Sequence, residues 1–379
     1  MASIRKFLAG PSLPLILLVV INLAAGVLTF RDYGISWDEP YFYAYGNAIG
    51  YAYSIPEHLS GNFDLERAYG PSGDDHKTRG PAYLVLARGP VYALEALGGL
   101  QRYQAWHLVN FLAFQVGAVL VYFLIRRLSR GGKPEAARWA ALSGAALFTW
   151  QPLLWGHAFI NPKDPSFLVF FTASLLAGLR LVDETRRSEA RLSRLAGWSL
   201  LAGALLGAAT AIRVLAPLAG LLVFIYALLQ IGDKKGTRPG LRPWLWFVPY
   251  ALAALVSMLA LWPYLWEAPL QRFLEVFRFM SANPTQLQVL FDGVMYRAYD
   301  LPRRYLPVYL AITLTEPVWP LAALGLAWSA AGIWKPKNRM PDSGLRKRIG
   351  GLAALLLWFV IPAAYVLVRR PPMYDGFRH

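Results

Sequence analysis

The chain contains no cysteine, which excludes a disulfide framework, a thiolate metal site and a cysteine nucleophile. Charge is also scarce: 16% of the 379 residues are Asp, Glu, Lys or Arg, and 22 acids stand against 38 Lys and Arg. So little charge excludes a soluble globular protein of ordinary design. No internal repeat and no low-complexity tract is visible.

Apolar and aromatic side chains are abundant. Hydrophobic residues make up 56% of the chain, with 14 Trp, 20 Tyr and 20 Phe, the composition of a polytopic membrane protein. A formal net charge of +16 raises the question of nucleic acid, which the distribution of charge answers. The segments around 5–6, 126–138, 180–194, 234–242 and 335–348 hold 22 of the 38 Lys and Arg but six of the 22 acids, leaving 16 of each sign elsewhere. They fall at every second junction between apolar segments, as the positive-inside rule requires of cytoplasmic loops. No nucleic-acid partner is needed. The chain is expected in the cell membrane with its N-terminus cytoplasmic.

Apolar segments at about 11–30, 104–125, 138–155, 165–182, 197–213, 215–231, 244–261, 307–333 and 350–368 predict nine transmembrane helices, given the ~20 residues a helix needs to cross the hydrocarbon core. The first continues to Phe30 and is expected to be an uncleaved anchor rather than a signal peptide. The fold class expected is therefore all-α, in one domain over residues 1–379. Residues 31–103, 156–164, 262–306 and 369–379 then share the outer face. The first of these is too long for a mere connection. Within it, residues 82–100 carry Arg88, Pro90 and Glu95 and predict an interfacial helix rather than a span. Leu270 to Met280, with Arg272, Glu275 and Arg278 on its polar side, predicts another. The chain stops at Met373-Tyr374-Asp375-Gly376-Phe377-Arg378-His379, which has the texture of a site, so the natural protein is expected to continue past it.

Four places on the outer face carry chemistry. Asp38-Glu39 lies between the first apolar segment and a run of aromatics. It is either a solvated turn or a general base whose proton affinity rises with partial desolvation. Asp74-Asp75-His76-Lys77-Thr78-Arg79-Gly80-Pro81 packs acids, an imidazole and cations into one stretch. Lys77 and Arg79 suit a phosphate, and His76 with Asp74 or Asp75 suits a cation. In Asn161-Pro162-Lys163-Asp164-Pro165 the prolines break helix and leave Lys163 and Asp164 at interface depth. Arg213, between two apolar runs, either snorkels to the interface or meets an anionic headgroup.

These clusters, in this order and topology, resemble membrane glycosyltransferases of the GT-C class, in particular bacterial relatives of protein O-mannosyltransferases and lipid A aminoarabinose transferases. The resemblance covers essentially the whole chain. It rests on Asp38-Glu39 in the first outer loop, on His76-Lys77 through Pro81, on Asn161-Pro162-Lys163-Asp164, on Trp262-Pro263-Tyr264-Leu265-Trp266 and on the terminal segment. Better-known relatives carry Lys-Pro-Pro or His-Pro-Pro where this chain has Lys77-Thr78-Arg79-Gly80-Pro81.

The resemblance implies a sugar moved from a polyprenyl-phosphate donor to an acceptor hydroxyl of a lipid, glycan or protein at the outer leaflet. It implies catalysis by Asp38 as base with Glu39 in support. His76, Lys77, Arg79, Lys163, Asp164 and Arg213 would bind the donor phosphate and the substrates. No cofactor is assigned; a divalent metal on Glu39, Asp75 and His76 stays open. No glycine-rich phosphate loop faces the cytoplasm, as expected for a membrane-delivered donor. The alternative is a transporter or flippase of a lipid-linked or anionic substrate. Repeated halves and midplane charges would favour it, whereas here charge gathers on one face without a repeat.

Overall fold

The computed structural model describes residues 12–71, 76–129, 133–187, 189–231, 241–282, 285–334 and 342–374. Asp74, Asp75, the basic residues at 5–6 and 234–238, and the terminal segment 375–379 lie outside them. The chain is about 75% helical with almost no strand, in keeping with an all-α membrane protein.

The helices are α1 (Leu13–Thr29), α2 (Glu39–Ala48), α3 (Ile55–Leu59), α4 (Ala82–Gly98), α5 (Arg102–Leu128), α6 (Pro134–Thr149), α7 (Pro152–Ile160) and α8 (Asp164–Thr185). They continue with α9 (Leu192–Thr210), α10 (Pro217–Ile231), α11 (Phe247–Leu261), α12 (Pro269–Ala282), α13 (Tyr305–Thr313), α14 (Val318–Trp334) and α15 (Asp342–Arg369). Local chemistry sets many of the ends. Proline occupies the first turn of α2, α6, α7 and α8, where its missing N–H has no helical partner to lose. α5 opens with a reciprocal cap between Gln101 and Gln104. α4 stops at Gly99, whose φ of +59° is cheap only for glycine.

Among the described residues, five helical stretches are long and apolar enough to cross a membrane: α5, α8, α9, the stretch Trp244–Leu261 that ends in α11, and Ile349–Arg369 of α15. α13 and the start of α14, bent by 107° at the break between them, make a sixth if the pair is counted as one span. α1 and α10 are apolar but shorter, at 17 and 15 residues. The apolar stretch 138–155 is divided between α6 and α7 at Trp150-Gln151.

The two breaks serve each other. Gln151 Nε2 donates to the Thr313 carbonyl at 2.6 Å, while Gln151 Oε1 accepts from the Thr315 amide at 3.1 Å and from its hydroxyl at 2.9 Å. Backbone freed by interrupting one helix is thus satisfied by a side chain at the interruption of another, which makes irregular chain tolerable at membrane depth.

α9 and α11 pack closely because glycines remove the intervening side chains. A Cβ on Gly203 would stand 2.2 Å from the Tyr250 carbonyl, and one on Gly207 2.1 Å from the Ala254 carbonyl. This Gly-xxx-Gly face brings the two backbones together, and Ser257 Oγ adds a bond to the Ala204 carbonyl at 2.9 Å.

Residues 82–98 form a helix, as does the amphipathic stretch within α12. On α12, Arg272 reaches Glu267 at 3.0 Å and Glu275 at 3.5 Å. A feature that hydropathy did not announce follows: β1 (Gln288–Phe291) pairs antiparallel with β2 (Val294–Arg297). Asp292 and Gly293 turn between them, both at positive φ, the conformation that an Asp-Gly hairpin turn favours.

The largest buried apolar cluster gathers Phe42, Tyr45, Tyr69, Trp106 and Trp262. It joins the region between α1 and α5 to the N-terminal end of α5 and to the segment after α11. A second cluster, with Leu175, Leu179, Val223 and Tyr226, fills the space between α8 and α10.

Candidate active site

Helix α2 begins at the acidic pair, with Asp38 at the capping position and Glu39 in the first turn. Side chains four residues apart share a helix face, so Glu39 lies with Tyr43, and Asp38 with Phe42. The two faces meet different surroundings, and the two carboxylates consequently differ in what they can do.

Glu39 points inward and is fully buried. Oε1 accepts from the Tyr43 hydroxyl at 2.5 Å and lies 2.7 Å from His107 Nε2; Oε2 accepts from the Ser36 amide. His107 is also fully buried, and its Nδ1 lies 3.4 Å from the Phe30 carbonyl. Tyr43 stacks on Trp106 with centroids 4.9 Å apart. Burial first, then the Glu39 charge, pushes the Tyr43 phenol well above its ordinary range, so it stays a donor. Buried charge persists only when paired and hydrogen-bonded. Three donors meet that need here, and the cluster ties the end of α1 and the start of α2 to α5.

Asp38 is half-buried and lines a cavity of about 450 Å³. Phe42, His157, Asn161, Pro162 and Leu287 line the same cavity, so its walls come from the segment after α1 with the start of α2, from the end of α7 with the α7–α8 link, and from the chain just before β1. Ser36 Oγ donates to the Ile160 carbonyl at 3.2 Å, which fastens the first two of these together.

The α7–α8 link is built around Asn161. Its Oδ1 accepts from the amides of Lys163 and Asp164, both at 3.0 Å, and its Nδ2 donates to Asp164 Oδ2 at 2.7 Å. Asp164 starts α8, where a carboxylate suits the positive end of the helix dipole. Its other oxygen meets Arg213 Nη2 in a direct ion pair. Arg213 is therefore committed to a protein carboxylate, and any phosphate it bound would compete with Asp164.

Phe42 is the hub of the remaining cations. Lys163 Nζ and Arg79 Cζ each lie 5.8 Å from its ring centroid. The buried His76 meets the same ring edge-on at 5.2 Å and stacks on Tyr41 at 5.8 Å. Arg79 Nε is buried without a hydrogen-bond partner among the described residues.

Gly80 sets the position of this segment. Its Cβ would lie 2.1 Å from the Ala211 carbonyl, and that carbonyl accepts from the Ala82 amide at 3.0 Å. The His76–Ala82 stretch is thus laid against the turn that carries Arg213. The Lys77 carbonyl accepts from Trp262 Nε1 at 3.2 Å, which brings in the segment that follows α11.

The structure therefore gathers Asp38, His76, Arg79 and Lys163 about Phe42, with the Asp164–Arg213 pair next to Lys163. Lys77 Nζ reaches Glu66 Oε2 at 3.5 Å. Glu39 is a fastening group, not a second acid in the cavity. Of the residues named for a metal, Asp75 lies outside the described residues, Glu39 accepts from the Ser36 amide and the Tyr43 hydroxyl and meets His107, and His76 packs among aromatic rings. Among the described residues no group of three or more His, Asp or Glu is arranged to hold a metal ion.

Sequence reasoning passed over His107 and Asn110, and gave Phe42 and Asn161 no role of their own within the motifs that contain them. Asn110 is buried, accepts from the Tyr83 hydroxyl and donates to the Phe159 carbonyl, both at 2.9 Å. A signal was present in His107 and Asn110, two polar residues three apart in an apolar segment, which places them on one helix face.

No protein-family model matches the chain, and no curated protein or solved structure shows significant similarity to it. Fold and site together define an all-α protein with several membrane-length apolar helices and a polar cavity at one end of them. Its particular activity is inferred from that chemistry.

Proposed function

We propose that this chain is an integral membrane glycosyltransferase that moves a sugar from a polyprenyl-phosphate donor to an acceptor hydroxyl. The observation that carries this reading is the half-buried Asp38 carboxylate in a cavity of about 450 Å³, one helical turn from the Phe42 ring on which Lys163, Arg79 and His76 converge. A base and a cationic surface within one site are what such a transfer needs. The acceptor oxygen attacks the anomeric carbon and gives its proton to Asp38. The bond from that carbon to the donor phosphate oxygen breaks, and the leaving phosphate gains the negative charge that Arg79 and Lys163 stabilise. Asp164 and Arg213 hold the α7–α8 link in register and orient Lys163.

The reading includes a nine-span topology, with α1, α10 and the α6–α7 pair counted as spans, a cytoplasmic N-terminus, and the cavity on the outer side of the cell membrane. Lys and Arg crowd the loops at the opposite end of α5 and α8, which supports that orientation.

The test is transfer by purified protein from radiolabelled polyprenyl-phosphate sugars to a membrane acceptor fraction. Asp38→Asn is expected to lower turnover by about 10²-fold or more with an unchanged unfolding temperature. Undiminished turnover in that variant would remove Asp38 as the base. Passage of the labelled lipid across vesicles with no donor consumed would make the chain a transporter.

A further inference from the structure

A second polar cluster lies at the other end of the helices that frame the cavity. From His107 to Arg127 along α5, and from Asp164 to Asp183 along α8, the rise is about 30 Å, close to one hydrocarbon thickness. Arg127 Nη1 donates to Asp183 Oδ2 at 2.6 Å, and Nη2 donates to the Leu179 carbonyl at 2.9 Å and to the Tyr226 hydroxyl at 3.3 Å. Tyr226 in turn donates to Asp183 Oδ1 at 3.1 Å. That cation is neutralised and its bonds are made.

One turn before Asp183 on α8, Arg180 differs. It is half-buried at the edge of a mainly apolar trough of about 360 Å³, walled by Phe123 of α5, Leu176 and Ala177 of α8, and Trp198 and Leu201 of α9, and lined also by the Asp183-paired Arg127. No carboxylate or hydrogen-bond acceptor among the described residues engages it. A guanidinium without a protein anion at the end of the bundle calls for an anionic partner, and the apolar walls call for hydrocarbon beside it. Free phosphate leaves the walls uncovered, and a zwitterionic lipid sets its own cation against Arg180. The end of the bundle where Arg180 lies carries the basic 126–138 and 180–194 segments, which attract the anionic headgroups of a cytoplasmic leaflet.

We propose that the trough holds an anionic glycerophospholipid, with an acyl chain along α5, α8 and α9 and its phosphate on Arg180. This site is separate from the cavity at Asp38 and does not rest on the reaction proposed there.

Trp198 reports on it. Protein in phosphatidylcholine vesicles is doped with phosphatidylglycerol or phosphatidylcholine brominated in the acyl chain, and the quenching that disappears in Trp198→Phe is taken as the signal of the trough. Phosphatidylglycerol is expected to be preferred there by about fivefold. Arg180→Gln removes the preference and Arg180→Lys keeps much of it. Lys133→Gln, which deletes an exposed charge at the same end of the bundle, leaves it intact, and added inorganic phosphate does not compete. Equal quenching by both lipids in the wild type, survival of the preference in Arg180→Gln, its loss in Lys133→Gln, or competition by phosphate would each overturn the proposal.

Discussion

At residue scale, two carboxylates adjacent in the chain have been given unlike work by a difference of 100° around one helix. Glu39 accepts from Ser36, Tyr43 and His107 in a dry pocket, while Asp38 faces a cavity. Glu39→Leu would leave the Ser36 amide, the Tyr43 hydroxyl and His107 without their buried acceptor. An unsatisfied buried group of this kind costs ~1–3 kcal/mol, so thermal unfolding of Glu39→Leu in detergent is expected well below that of wild type. An unchanged unfolding temperature for that variant would show that the cluster does not anchor the 31–38 segment. The acidic pair was legible from its types and place. Which acid would be spent on structure was not, because that depends on His107, 68 residues further along the chain.

At the scale of elements, Gly203 and Gly207 decide how closely α9 approaches α11, and α9 ends just before the Ala211–Arg213 turn. Gly207→Val forces a side chain against the Ala254 carbonyl, 2.1 Å from where its Cβ would lie. Backbone cannot yield as a flexible side chain can, and overpacking of this kind costs ~1–3 kcal/mol. Gly197→Ala on the same helix, with nothing within 4 Å of the added methyl, is expected to be neutral or stabilising, since it improves helix propensity by up to ~1 kcal/mol. Comparing the two unfolding temperatures checks the packing; equal effects would contradict it. Hydropathy identified the apolar stretches but not where they break. The stretches 138–155 and 307–333 are each interrupted, and Gln151 bridges the interruptions. A hydropathy window cannot register a bond between residues 162 apart.

For the whole molecule, the Glu39–His107 bond keeps the 34–38 loop at the start of α5, whereas Lys133 follows its end. α5 has 27 residues and spans about 40 Å, more than the hydrocarbon core. Trp37, 88% exposed, and the exposed Lys133 therefore face opposite sides whichever way the chain is inserted. Trp37→Cys and Lys133→Cys, made in this cysteine-free chain, are expected to react with an impermeant thiol reagent from opposite sides of sealed vesicles. Labelling of both from one side would refute the span.

Composition and the order of residues determined that the chain is an apolar helical protein, which stretches are basic, and which acids and cations lie near one another along the chain. Those properties are additive along the chain. Tertiary structure decided that Asp38 opens on a cavity while Glu39 is walled in, that Arg213 belongs to Asp164 while Lys77 leans on Glu66, and that Phe42 gathers Arg79, Lys163 and His76. Each of these is a pairing between distant segments, set by which helix faces pack together.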